Sequence, residues 1–68
     1  MFITYNKDTK KYWLDIDNIY MNCYRPFNNL DELKAFAMFS YARNQLRLQE
    51  LKAIDQEIEE IRTLNNSL

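Results

Sequence analysis

A chain of 68 residues, 47% hydrophobic and 15% aromatic, makes one small domain of a size at which a single core is marginal without staples or association. That composition argues against a disordered polymer, and a net charge of −1 lends no support to general phosphate binding through bulk positive charge. The single cysteine, Cys23, excludes an intramolecular disulfide.

Met1 to Asn6 alternates apolar and polar residues and is rich in β-formers, which predicts a first strand. Lys7-Asp8-Thr9-Lys10 is polar and reads as a four-residue turn. Lys11 to Ile16 is a second strand. Asp17-Asn18 then offers a two-residue hairpin turn, since both residue types tolerate positive φ where Gly is absent. Ile19 to Tyr24 is the third strand, and Arg25-Pro26 ends it.

These turns set a register. Tyr5 opposes Tyr12 and Ile3 opposes Leu14; on the other side Ile16 pairs with Ile19, Leu14 with Met21, and Tyr12 with Cys23. One face then carries Met1, Ile3, Tyr5, Tyr12, Leu14, Ile16, Ile19, Met21 and Cys23. A slip by one residue would turn this apolar set to solvent, so the register is specified by burial. The opposite face carries Phe2, Thr4, Lys11, Trp13, Asp15, Tyr20, Asn22 and Tyr24.

Asn29 is suited to cap a helix, with Glu32 placed to complete a capping box and Asp31 beside it at the positive end of the dipole. From Leu30 to Leu64 there is neither Pro nor Gly, which predicts one helix of roughly 50 Å. Its first half is apolar over a wide arc (Leu30, Leu33, Phe36, Ala37, Phe39, Tyr41, Leu46) that covers the sheet. Its second half narrows to Leu48, Leu51, Ile54, Ile58 and Ile61, a coiled-coil-like seam for an oligomer interface. The expected fold is therefore α+β: a β-meander head over 1–29, a long helix over 30–64 and a frayed tail over 65–68, in a single domain. A competing arrangement breaks the helix near Arg43-Asn44-Gln45 and folds the tail back.

Chemistry is sparse. With no His the chain lacks the usual general base near neutral pH and the commonest metal ligand, and with no Gly it lacks phosphate-cradling loops. Cys23 reads as a buried, inert thiol. Asp15 and Asp17 share a strand face, but a metal site needs further ligands. No catalytic residue, metal, cofactor or small-molecule ligand is expected, and the chain reads as a non-enzyme. It carries no apolar segment long enough for a membrane span or a signal core, so the cytoplasm is its expected location, a host's cytoplasm if phage-encoded.

The aromatic face is the more informative feature. Phe2, Trp13, Asp15, Tyr20 and Tyr24 form a candidate partner-binding set, because exposed aromatics are typical interface anchors. Aromatics on a sheet also stack bases, and Lys10, Lys11, Arg25, Arg43 and Arg47 are the cations a nucleic-acid interface would use. Over 11–46 the layout of strands, then a helix opening at Phe27-Asn28-Asn29-Leu30-Asp31-Glu32-Leu33, resembles the arm-type domains of phage integrases and the AP2-like DNA-binding domains. That likeness rests on Trp13 and the helix start and implies a shared architecture; the strands carry Asp15 and Asp17 where those domains carry bases. In style the small, Gly-free, Asn-rich chain is similar to phage or mobile-element proteins that inhibit a host factor. The expected function is accordingly a homo-oligomeric interaction protein that inhibits or regulates a protein partner. The alternatives are a small dimeric nucleic-acid-binding regulator and a structural subunit of a larger assembly.

Overall fold

The computed structural model describes residues 2–20 and 22–67, with the side chains of Cys23 and Ser67 outside that description. Strands β1 (Ile3–Asn6), β2 (Lys11–Asp17) and β3 (Asn22–Phe27) form an antiparallel sheet in that order, followed by helices α1 (Leu30–Ala42) and α2 (Leu48–Ser67). The class is α+β, as composition and patterning predict, but the helical part is two helices and not one.

The β1–β2 hairpin has the expected register: Ile3 faces Leu14 and Tyr5 faces Tyr12. Its turn is held by Asn6, whose Oδ1 accepts from the amides of Asp8 (2.9 Å) and Thr9 (3.3 Å). Lys10, with φ 58°, takes the left-handed position that returns the chain to β2.

The β2–β3 hairpin departs from expectation. Asp17 pairs with Asn22, Ile16 with Cys23 and Leu14 with Arg25, so the loop begins at Asn18 rather than closing on Ile19 and the register is displaced by four residues. A tight primed turn at Asp17-Asn18 would need positive φ at both; among the described residues only Lys10 and Asn44 have it. Asn18 instead uses its side chain. Its Oδ1 accepts from Tyr20 N at 2.8 Å, and its Nδ2 donates to the Gln45 carbonyl (3.3 Å) and the Glu50 carboxylate (3.1 Å). An even displacement preserves the faces of residues that stay in the strand. Ile19 does not stay: it stands in the loop 77% exposed, a correction to its expected core position. Strand β3 also continues through Pro26 to Phe27, which an edge strand tolerates because its outer N–H groups need no partner. The expected places of Met1 and Met21, and that of the Cys23 side chain, lie outside the described residues.

The expected continuous helix ends at Ala42 for a local reason. Asn44 takes φ 61° one residue past the C-cap, Gln45 N donates to Ser40 O (2.9 Å), and Asn44 N donates to Tyr41 O (3.0 Å). This is a Schellman ending, with Asn in the left-handed position usually held by Gly. Leu46 then turns inward and is buried. Helix α2 starts on a half capping box: Glu50 accepts from Arg47 N at 3.1 Å, while Leu51 N returns to Arg47 O at 2.9 Å. At the start of α1, Asn29 Oδ1 accepts from Glu32 N (2.8 Å), as its capping role requires. The Glu32 carboxylate accepts from Asn28 N (3.1 Å), one residue upstream of the usual box.

With the break in place, α2 folds back along α1 and the sheet, and both helices lie on one face of it. Ile3, Leu14, Ile16 and Phe27 from the sheet, Leu30, Leu33 and Ala37 from α1, Leu46, and Ile54 and Ile58 from α2 make the buried core. The positions expected to form an oligomer seam are thus spent largely within the chain. Ile54 and Ile58 are fully buried, Leu51 and Ile61 pack against the core, and only Leu48 remains exposed. The physical cause is the marginal core of a short chain, which stabilises itself by covering its own apolar faces before any second chain arrives. Glu57, also buried, fastens the outer edge of the sheet: its carboxylate accepts from Phe2 N (2.9 and 3.1 Å) and Ile3 N (3.2 Å). Ion pairs Arg62–Asp31 and Lys34–Asp55 (3.9 Å) tie α2 to α1 at the surface.

Candidate functional site

A strand sends alternate side chains to opposite faces, so covering one face of the sheet with both helices leaves the other uncovered. On it the register aligns Thr4, Trp13 and Pro26 in one row, Asp15 and Tyr24 in the next, and Asp17 with Asn22 beyond. Trp13 is partly buried, whereas Tyr24 is 55% exposed and Asp15 is open. Tyr20 is 57% exposed in the β2–β3 loop, at the end of the sheet next to the Asp17–Asn22 pair.

Of the expected partner-binding set, the fold thus brings Trp13, Asp15 and Tyr24 onto one surface with Tyr20 at its edge. Phe2 is placed differently. It precedes β1, is half-buried against the core, and accepts through its carbonyl from Asp15 N at 2.8 Å. Pro26 joins the surface because β3 runs three residues further than its sequence suggests, to Phe27. The aromatic pair Trp13 and Tyr24 sits on diagonal positions of β2 and β3, within reach of one extended ligand segment or one protruding side chain.

The cations are dispersed. Lys10 and Lys11 lie at the β1–β2 end of strand β2, and Arg43 and Arg47 flank the inter-helix turn that Asn18 joins to the opposite end. Those ends are roughly 20 Å apart along a seven-residue strand. Arg25 belongs to the covered side of β3, with its guanidinium carbon 4.9 Å from the Phe36 ring centre and 5.7 Å from that of Phe27. Asp15 and Asp17 have no third ligand nearby; among the described residues no three metal-ligating side chains converge.

Two surfaces were not anticipated from the sequence. One is a pocket of about 460 Å³ at the far end of the covered face, lined by Ile3, Tyr5, Tyr12, Ile61 and Asn65. The Tyr5 and Tyr12 rings lie 4.9 Å apart at its wall, and among the described residues no carboxylate, thiol or imidazole lines it. The other is the outward side of α1, where Ala35, Met38, Phe39 and Ala42 are exposed. Phe39 (56% exposed) and Tyr41 were expected to cover the sheet, and they do not. The signal was present in Ala35-Phe36-Ala37-Met38-Phe39, an unbroken apolar run. A helix cannot bury five consecutive residues on one side at 100° per residue.

No helix among the described residues is long and apolar enough to cross a membrane. Compared with protein-family models, curated proteins and solved structures, the chain finds no match.

Proposed function

We propose that this chain is a non-enzymatic interaction protein that holds a protein partner on the open face of its sheet. Trp13 and Tyr24 are the aromatic anchors, Asp15 the charged selector between them, and Tyr20 the contact at the rim. The observation that carries this reading is the placement of both helices on one side of the sheet. It leaves Trp13, Pro26 and Tyr24 together on a face that a free-standing chain would be better served by making polar. Anchors of this type gain affinity when a partner excludes water around them, and a carboxylate beside them penalises partners that lack a matching donor. A chain that acts by such contacts inhibits or regulates by occupying a partner's surface.

The dispersed cations and the acidic pair Asp15 and Asp17 on the open face favour protein over nucleic acid. The two are separated by a photo-crosslinker placed at Tyr24 in the cells that make the protein. The reading expects one heterologous protein adduct, lost when Trp13→Ala is added and kept when Lys7→Ala is added. Adducts to nucleic acid, or adducts indifferent to Trp13→Ala, would overturn it. Retention on a DNA column at low salt, falling steeply as salt rises, would support the nucleic-acid alternative instead.

A further inference from the structure

We infer that the partner is held by strand addition: an extended segment of it pairs with the free edge of β3. That segment presents basic side chains at alternate positions to Asp15 and Asp17 on the open face, and an acidic side chain to Arg25 on the other. The reading rests on the function proposed above and adds the form and charge of what the open face receives.

The register determines which backbone groups of β3 are free. Asp15 N donates to Phe2 O at 2.8 Å, so its backbone turns toward β1 and its pairing with Tyr24 carries no ladder bond. The two kinds of pair alternate along an antiparallel ladder, so Trp13–Pro26 and Asp17–Asn22 are of the same kind as Asp15–Tyr24. Pro26 agrees with this phase, since it has no N–H to give and the opposite phase would demand one. The N–H and C=O groups of Asn22 and Tyr24 therefore point away from β2, and no strand lies beyond β3. The other edge differs, because the Glu57 carboxylate takes the amides that begin β1. Pro26 blunts one end of the β3 edge, which leaves a short template centred on Tyr24, itself an anchor of the open face.

Charge selects the occupant. Beside this edge Asp15 and Asp17 on the open face, and Arg25 on the covered side, have no ion-pair partner among the described residues. The Arg25 guanidinium instead lies over Phe36, 4.9 Å from the ring centre. A residue added opposite Tyr24 has its Cα two strand spacings from that of Asp15, about 10 Å. Lys or Arg spans that gap and crosses the Tyr24 ring on the way, which adds a cation–π contact. The residue opposite Asn22 stands in the same relation to Asp17. Successive residues alternate faces, so the one opposite Arg25 falls on the covered side, where a carboxylate meets the guanidinium. A second copy of β3 does not meet these demands. It would bring Asn22, Tyr24 and Pro26 to the open face and another Arg25 to the covered side, leaving every one of these charges unanswered.

The test uses the full chain with the photo-crosslinker at Tyr24, in the cells that make it. Asn22→Pro removes an outward N–H and no ladder bond, so it keeps the circular dichroism and lowers the adduct yield roughly tenfold, whereas Asn22→Ala leaves the yield unchanged. Mass-spectrometric sequencing of the crosslinked peptide gives a segment with Lys or Arg at alternate positions. In the captured complex, amide exchange at position 24 is slower than in the free chain by roughly tenfold or more, a readout that stands even where Asn22→Pro unfolds the chain. An adduct indifferent to Asn22→Pro, a segment without alternating bases, or a position-24 amide that exchanges as in the free chain overturns strand addition alone. An adduct between two copies of this chain overturns it too. No adduct of any kind overturns the function reading along with it.

Discussion

At the residue scale, asparagines hold the turns and caps of this chain, three through side-chain hydrogen bonds and one, Asn44, through a left-handed backbone of the kind glycine usually supplies. Asn6 closes the first hairpin turn, Asn29 caps α1, and Asn18 ties the β2–β3 loop to Gln45 and Glu50. Asn44 is the most consequential, because its left-handed backbone turns the chain back at the end of α1. Asn44→Ala is expected to cost about 1–2 kcal/mol, whereas Asn44→Gly should be neutral or stabilising; urea unfolding midpoints check both. Glu57 poses a different kind of dependence. Its carboxylate satisfies the amides that begin β1, so Glu57→Ala strands buried donors and is expected to cost about 1–3 kcal/mol. Glu57→Gln keeps one acceptor oxygen and should cost clearly less in the same assay. The caps were legible in the sequence, because Asn before a run of helix formers has a local meaning. Asn44 was legible only within the competing arrangement, the break near Arg43-Asn44-Gln45 that the structure adopts: an Asn inside a Gly-free, Pro-free stretch is also compatible with a helix that continues, and only the packing of Leu46 inward decides against it.

At the scale of elements, the first hairpin was readable from alternation alone, since its turn is short and both strands bury the same face. The second was readable in its faces but not its register. Its loop is set by bonds from Asn18 to residues 27 and 32 positions away, which no local pattern encodes. Helix α2 shows how an apolar stripe states that a face is buried without stating against what. Leu51, Ile54, Ile58 and Ile61 have seam spacing, and the partner proves to be the chain's own sheet and α1. This changes the outcome expected of a charge in that stripe. Ile54→Asp places a carboxylate in a fully buried position and should unfold the whole chain, seen as loss of both strand and helix circular dichroism. Had the stripe been an oligomer seam, the variant would dissociate with a folded sheet. Ile58→Ala, a milder change, should cost about 2–5 kcal/mol in urea unfolding.

For the whole molecule, the consequence of the turn at Asn44 is an asymmetric two-layer body, helices on one side and an uncovered aromatic surface on the other. Trp13→Ala should therefore leave stability within about 1 kcal/mol while removing a binding anchor, a separation that a core tryptophan would not allow. The aromatic candidates Trp13 and Tyr24 were legible because strand alternation assigns faces before any contact is known, whereas Tyr20, expected in the third strand, lies in the loop before it. Phe2 was misplaced since it lies just outside β1, and the α1 patch was missed because apolar residues on a helix were credited to the core. Every functional statement depends on α2 lying against the sheet of its own chain. The most direct measurement is a nuclear Overhauser experiment on a mixture of isotope-labelled and unlabelled protein. Contacts between the Glu57 and Ile58 side chains and the amides of Phe2 and Ile3 should appear within labelled molecules and be absent between labelled and unlabelled ones. Contacts found only between molecules, or none at all, would mean that the helix runs on past Asn44 and that α2 belongs to an interface with another chain.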